Sequence, residues 1–224
     1  MQFYFIRHGQ SVNNLLYATT GSDKGRSSDP ELTETGRQQA VLLADYLHQE
    51  DTSLTHLYTS LMVRAVSTGI VVADRLGLRL FAWTDLHEEG GIYLNDEQGS
   101  HIGQPGKDRA YFEQNFPGLV LPETLNASGW WNRPYEVTAE RPVRASRFLQ
   151  DLFSRHGGTD HRVAVISHGG FYNLVHSALL NLSNNHSLWF MLNNTAITRI
   201  DFYHDRTDFV YHNRENFLPR ELIT

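Results

Sequence analysis

The 224-residue chain contains no cysteine. That removes disulfides, thiolate metal ligands and cysteine nucleophiles together, and it fits a reducing compartment. Basic residues are also in short supply: 19 Lys and Arg against 25 Asp and Glu give a formal net charge of −6. Binding nucleic acid or a membrane surface through overall charge would call for a basic excess. Any anionic ligand must therefore be met by positive charge gathered locally. No apolar run approaches the length that crosses a bilayer, and Arg7 and His8 interrupt any apolar leader after six residues. The expectation is a soluble, cytoplasmic protein with neither nucleic acid nor membrane as partner. Three ligand-binding patterns are missing as well: GxxxxGK(S/T), GxGxxG and HExxH, the last because "LHEEGG" lacks its second histidine. Dense Asp/His spacing is absent too, so no metal or other cofactor is expected.

What is present is a regular alternation. "QFYFI" is short, aromatic and β-prone, and predicts a buried strand. "LTETGRQQAVLLADYLHQE" places Ala40, Leu43, Ala44 and Leu47 at i, i+3, i+4 and i+7, behind a capping Thr33, and predicts a helix. "HLYTS" predicts a second strand. The stripe Ala65, Gly69, Val72, Ala73 and Leu76 predicts a second helix, stopped by Gly77. "LRLFAW" and "RVAVIS" read as strands, "ERPVRASRFLQDLFSRHGG" and "GGFYNLVHSALL" as helices, and "AITRIDFY" and "FVYHN" as late strands of edge type.

Such alternation implies α/β class: a three-layer αβα sandwich about a mainly parallel sheet, in a single domain over residues 1–224. The rhythm breaks at about residues 88–141, a stretch rich in Gly, Pro, Asn and aromatics. A segment of that length without βα periodicity predicts an inserted lid or cap. Trp130 and Trp131 within it could stack on a substrate or pin the lid to the body, and both readings stand open at this point.

Open α/β sheets bind ligands beyond the carboxyl ends of their strands. Arg7, His8 and Gly9 follow the first strand; Ser60 and, a turn later, Arg64 follow the second; His87, Glu88 and Glu89 follow the third; His168, Gly169 and Gly170 follow "RVAVIS". Each alone could be a structural or solvated residue. Together they bring imidazoles, two guanidiniums and carboxylates to one sheet edge, the histidines beside glycine being His8 and His168. Guanidinium forks match phosphoryl oxygens, glycines beside each histidine would let backbone N–H groups approach an oxyanion, and helices starting at Gln10 and Gly169 would aim their positive ends inward. With neither thiol nor metal, the nucleophile left is a histidine, which can carry a phosphoryl group while a carboxylate protonates the leaving alkoxide and later activates water.

The ordered set "RHGQS", "LTETGRQQA", "TSLMVRAVST" and "SHGG" resembles the histidine phosphatase superfamily, the phosphoglycerate-mutase-like fold. The resemblance implies that His8 is the phosphorylated nucleophile and that Arg7, Arg64 and His168 form the phosphate pocket. It implies a contribution from Asn14 and substrate contacts near Thr20 and Gly21, with Gly169 beside His168. The family's proton donor, a Glu in an L-x-E pattern, falls on Glu88, with Glu89 as its rival. The implied activity is metal-independent hydrolysis of a small phosphorylated substrate. Mutases of the family carry a cation directly after that Glu, where this chain has "EEGGIY", so the mutase reading ranks second and a catalytically silent phospho-ligand binder third. Lys107, Arg133 and Arg141 are candidate secondary contacts.

Overall fold

Parallel strands buried on both faces need apolar side chains pointing both ways, and the chain supplies them at its first and seventh strands. In the computed structural model, which describes residues 1–50, 52–183 and 186–224, β1 (Gln2–Arg7) and β7 (Arg162–Ser167) pair in parallel from Gln2–Arg162 to Arg7–Ser167. β2 (His56–Thr59) lies parallel on the other side of β7, with Thr59 opposite Ile166. β3 (Leu80–Ala82) continues the parallel set next to β2.

The helices cover both faces. α2 (Glu34–Gln49), capped by Thr33 as its sequence predicts, and α3 (Val63–Leu76), closed by the left-handed Gly77, pack on one side with Leu43, Leu47, Val66 and Val72. α5 (Glu140–His156) and α6 (Gly169–Leu179) cover the other with Phe148, Leu152, Phe171 and Tyr172. The class is the three-layer α/β sandwich expected.

Three details differ from the sequence reading, and one reading left open is decided. The helix expected from Gln10 is α1 (Val12–Thr20), because Ser11 caps it through the Asn14 N–H. Of the two late strands only β9 (Thr207–Arg214) is an edge; β8 (Ile197–Phe202) is antiparallel to β1 on one side and to β9 on the other. The insertion is not structureless. It holds the hairpin β4 (Tyr93–Asn95) and β5 (His101–Gly103), helix α4 (Arg109–Asn115) and β6 (Leu119–Val120), and β6 joins the main sheet beside β3. Trp130 and Trp131, 9% and 4% exposed, sit in the core cluster of the α2–α3 face, so they pin the insertion to the body. No helix among the described residues is long and apolar enough to cross a membrane.

Candidate active site

The shared register of β1, β2 and β7 sets the floor of the site. Arg7 and Ser167 end β1 and β7 at one level and Thr59 ends β2 opposite Ile166, one residue short, so His8 and His168 emerge side by side with Ser60 one step below them. The His8 and His168 rings lie 5.0 Å apart between centroids, tilted by 59°. Both are sealed from solvent, at 2% and 0% exposure.

The hydrogen bonds of His8 fix its tautomer. Arg64 Nε–H donates to His8 Nε2 at 3.1 Å, so Nε2 carries the lone pair. Nδ1 then carries the proton and donates to the Gly9 carbonyl at 2.6 Å. Burial, followed by the positive charges of Arg64 and Arg7, holds His8 well below the usual imidazole range; the Gly9 bond opposes that shift. His168 is lowered in the same way by burial first and then by Arg64. Its Nε2 meets Ser60 Oγ at 2.9 Å, while its Nδ1 is buried without a hydrogen-bond partner. Arg7 donates to the Leu192 carbonyl at 2.7 Å and keeps a buried, unpartnered Nε. Orphaned donors next to a neutral imidazole lone pair are what an incoming oxyanion would satisfy.

Glycines do a different job here from the one the sequence suggests. Gly9 N–H is already spent on Thr68 Oγ1 at 3.0 Å. The residue is glycine because a Cβ would strike the Gly36 carbonyl of α2, which crosses it backbone to backbone. Nor is the N-terminus of α6 free for a ligand. Gly170 and Phe171 N–H groups donate to the Glu88 carboxylate at 3.2 and 2.9 Å, and Glu89 N–H adds a third bond at 2.9 Å. Any side chain on Gly170 would collide with Glu88 Oε1. The helix dipole thus anchors a carboxylate beside the pocket.

A cleft of about 400 Å³ opens next to the floor, lined by Arg7, Glu88, Glu89, Tyr135, Arg141 and Gly169 among others. His8 and His168 are not part of this lining, but each adjoins in sequence a residue that is, Arg7 and Gly169. Burial first, and then neighbouring Glu88, raise the Glu89 carboxyl, against the pull of Arg141 paired with it at 2.7 Å. A second depression of similar size, walled by Trp131, Arg133 and Arg147, contains no histidine.

Asn14 presents Oδ1 to the Ser11 N–H at 3.0 Å in the α1 capping box, which leaves its amide Nδ2 as its free donor. Thr20 and Gly21 are exposed at the far end of α1, where Thr20 Oγ1 donates to Leu16 and Gly21 supplies the left-handed cap. Arg133 donates to His87 Nε2 at 3.2 Å, and Lys107 stands over the Tyr111 ring at 4.5 Å.

Several residues that shape the site do not stand out in the sequence. Asp29, its side chain 5% exposed, faces Arg64 at 3.8 Å and accepts from Val63 N–H. Arg144 grips Glu136 through Nε and Nη2 at 2.6 and 2.8 Å and donates to the Asp85 and His87 carbonyls, clamping the turn that carries Glu88. Asn194 donates to the His8 carbonyl at 2.9 Å and is itself held by the chain's last residue, Thr224. The C-terminal segment, whose purpose is not legible in sequence, therefore buttresses the strand end that bears His8.

The chain is similar to several known proteins. A "Probable phosphoglycerate mutase GpmB" from Photorhabdus laumondii is 27% identical over 205 residues, 91% of this chain and 86% of that protein. "Phosphoglycerate mutase-like protein 4" from Arabidopsis thaliana is 30% identical over 166 residues, 74% of this chain and 65% of that protein. Among solved structures, a phosphoserine phosphatase variant from Entamoeba histolytica bound to phosphoserine superposes with TM-score 0.64 at 20% identity, covering 97% and 99% of the two chains. The alpha-ribazole phosphatase from Shigella flexneri superposes with TM-score 0.66 at 18% identity, covering 96% of each. The family model for the histidine phosphatase superfamily, branch 1, matches residues 3–215. With both histidines, both arginines and the L-x-E carboxylate inside that span, the chain belongs to the histidine phosphatase superfamily.

Proposed function

We propose that the chain hydrolyses small phosphate monoesters through a phosphohistidine on His8, in the cytoplasm. One observation carries the reading: a neutral His8, locked by Nδ1–H to Gly9 and turning its Nε2 lone pair toward Arg64 beside His168. A ring so held loses little freedom on attack.

In the first step Nε2 attacks phosphorus and the ester P–O bond breaks. Arg7, Arg64 and His168 hold the charge that builds on the equatorial oxygens. Asn14 Nδ2 would add a donor at the pocket's rim; Thr20 and Gly21 join only for a substrate that extends along α1. The departing alkoxide takes a proton from Glu88. In the second step Glu88 draws a proton from water, the water oxygen attacks phosphorus, and the P–N bond breaks to free His8 and inorganic phosphate. The scheme uses no metal ion. Glu88 takes the acid–base part because α6 backbone N–H groups aim its carboxyl into the cleft beside Arg7, whereas Glu89 is tied to Arg141. The insertion contributes Glu89 and Tyr135 to the cleft and so sets the choice of leaving group.

The relatives' names favour a mutase as the second reading, and one observation bears on it. Arg141 does bring a cation to the cleft, but Glu89 neutralises it at 2.7 Å. A second phosphate or carboxylate would have to displace that pair, which supports hydrolysis of a monoester. The test is quenching the enzyme during turnover of a radiolabelled monoester. The expected product is an acid-labile, base-stable phosphoprotein, absent in His8→Ala, together with release of inorganic phosphate. Label that persists in His8→Ala would remove His8 from the role, and isomerisation dependent on a bisphosphate primer would favour the mutase.

A further inference from the structure

At the opposite edge of the sheet, where strands begin, a second group of histidines has no part in the proposed chemistry. His56 opens β2, His156 closes α5, and His161 immediately precedes β7. Nothing in their sequence spacing joins them: 100 residues separate the first from the second. The sheet does. One ring nitrogen from each lies within 4.8 Å of the other two. The ring centroids stand 4.6, 4.4 and 5.2 Å apart. Three imidazoles around one tetrahedral ion, with Zn–N bonds near 2.0–2.1 Å, place their centroids about 5 Å apart and their nitrogens about 3.3 Å apart. His156 Nδ1 and His161 Nδ1 are already 3.0 Å from each other, joined by a hydrogen bond whose proton an ion would displace.

The outward nitrogens have partners of the kind that orient metal-binding imidazoles. Tyr58 Oη meets His156 Nε2 at 3.1 Å, and Thr55 Oγ1 meets His56 Nδ1 at 2.8 Å. A hydroxyl accepting from His156 Nε2–H leaves the Nδ1 lone pair pointing into the cluster. The turn between His156 and His161 is tied down by Thr159, whose hydroxyl donates to the His156 carbonyl at 2.6 Å and accepts from His161 N–H at 3.2 Å. His156 is 3% exposed, while His56 and His161 are half-buried and leave a side open for entry and for a fourth, water ligand.

We infer that His56, His156 and His161 form a binding site for one borderline-soft transition-metal dication, of which Zn²⁺ is the representative, at the strand-start edge remote from the phosphate pocket. Three neutral imidazoles without a carboxylate select Zn²⁺, Ni²⁺ or Cu²⁺ over Mg²⁺ and Ca²⁺. The arginine that acts on His156 is Arg155, whose guanidinium is stacked 4.2 Å over Trp83. An ion here would cross-link the start of β2, the end of α5 and the entrance to β7, so its effect falls on stability.

The experiment titrates the full chain with ZnCl₂ by calorimetry, follows thermal unfolding, and records the absorption of the Co²⁺-loaded protein. Excess sulfate, a tetrahedral oxyanion that leaves Zn²⁺ and Co²⁺ in solution, is present throughout to occupy the other histidine pocket. The wild type is expected to take up one equivalent, to unfold at a higher temperature with Zn²⁺ but not with Mg²⁺, and to show the intense visible bands of four-coordinate Co²⁺. His56→Gln with His161→Gln changes only half-buried positions and is expected to keep its fold and turnover while losing at least tenfold in Zn²⁺ affinity. Equal Zn²⁺ affinity in the two proteins, or no uptake by the wild type, overturns the proposal. Because turnover is not the readout, failure here is distinct from failure of the phosphatase reading.

Discussion

The floor and the wall of the cleft are built by different means. The floor — His8, Arg64, Ser60 and His168 — comes from strand ends in register and from one helix, and it is fixed by short bonds to backbone and ring atoms. The wall — Glu88, Glu89, Tyr135 and Arg141 — comes from the insertion and α5; backbone N–H groups hold Glu88, and the rest is fixed by ion pairs, Arg144 with Glu136 and Arg141 with Glu89. Backbone register cannot be altered by one substitution, whereas an ion pair can. The groups that would meet the phosphoryl centre sit where geometry is hardest to change, and those that would meet the leaving group sit where one charge changes the field. Substitutions that separate these two parts test the division directly.

The largest loss belongs to the floor. His8→Ala should lower kcat/KM by on the order of 10⁵-fold, the scale of removing a covalent nucleophile, while thermal unfolding and phosphate binding report an intact chain. A residual rate within tenfold of wild type would break the contrast. In the wall, Glu88→Gln should slow alkyl phosphates by about 10²–10³-fold and aryl phosphates far less, since a good leaving group needs little protonation. Equal slowing of both would deny Glu88 the acid's part. Gly170→Ala reaches the same carboxylate from α6, because its new Cβ would displace Glu88 Oε1. The expected outcome is a loss of about tenfold in kcat with the same alkyl-over-aryl bias, and unchanged inhibition by inorganic phosphate. A rise in the phosphate inhibition constant instead would mean that α6 itself had moved.

Asp29 lies under the floor and sets function against stability. Burial raises its carboxyl from 3.8 to about 6, with Arg64 opposing. The folded chain therefore binds that proton more tightly than the unfolded chain, and stability falls as pH climbs from about 4 to about 6. Asp29→Asn should flatten that segment of the stability profile and add up to about 3 kcal/mol at neutral pH. It should also cost several-fold in kcat/KM, because Arg64 loses its counter-charge. Unfolding curves from pH 4 to 8 check the first effect, and an unaltered profile would show that the buried carboxylate carries no such penalty.

What the sequence makes legible follows from distance along the chain. His8, Arg7 and His168 adjoin strong strand patterns, so their common edge follows from topology alone. Thr33 and Gly77 mark helix ends by local chemistry and fall where expected. Asp29 lies 34 positions before its N–H donor Val63, with all of α2 and β2 between them, and no periodicity connects the two. Arg144 reads as one more charge on an amphipathic helix until the fold presents two carbonyls and Glu136 to it. β6, with two residues, is too short to display alternation. The tryptophan pair declares bulk without direction: a side chain of that size fills a core or faces a ligand, and only packing decides. Gly9, in the loop between β1 and α1, shows the same limit, because its close neighbour Gly36 comes from α2.

The smallest effect sharpens the wall most. Glu89→Gln leaves Glu88 in place and removes only the partner of Arg141, 28% exposed in its side chain against 16% for the arginine. The cleft beside Arg7 then gains a net positive charge. A monoester with a neutral alkyl group has nothing to meet it, so its kcat and KM should stay within about twofold. A substrate with a second anionic group, such as a phosphoglycerate, gains a partly desolvated guanidinium, and its KM should fall by about three- to tenfold at low salt and by less as salt screens the pair. Parallel KM measurements on the two substrates decide the matter. Equal changes in both would mean that the Arg141–Glu89 pair only props the wall, and that the charge of this cleft does not choose the leaving group.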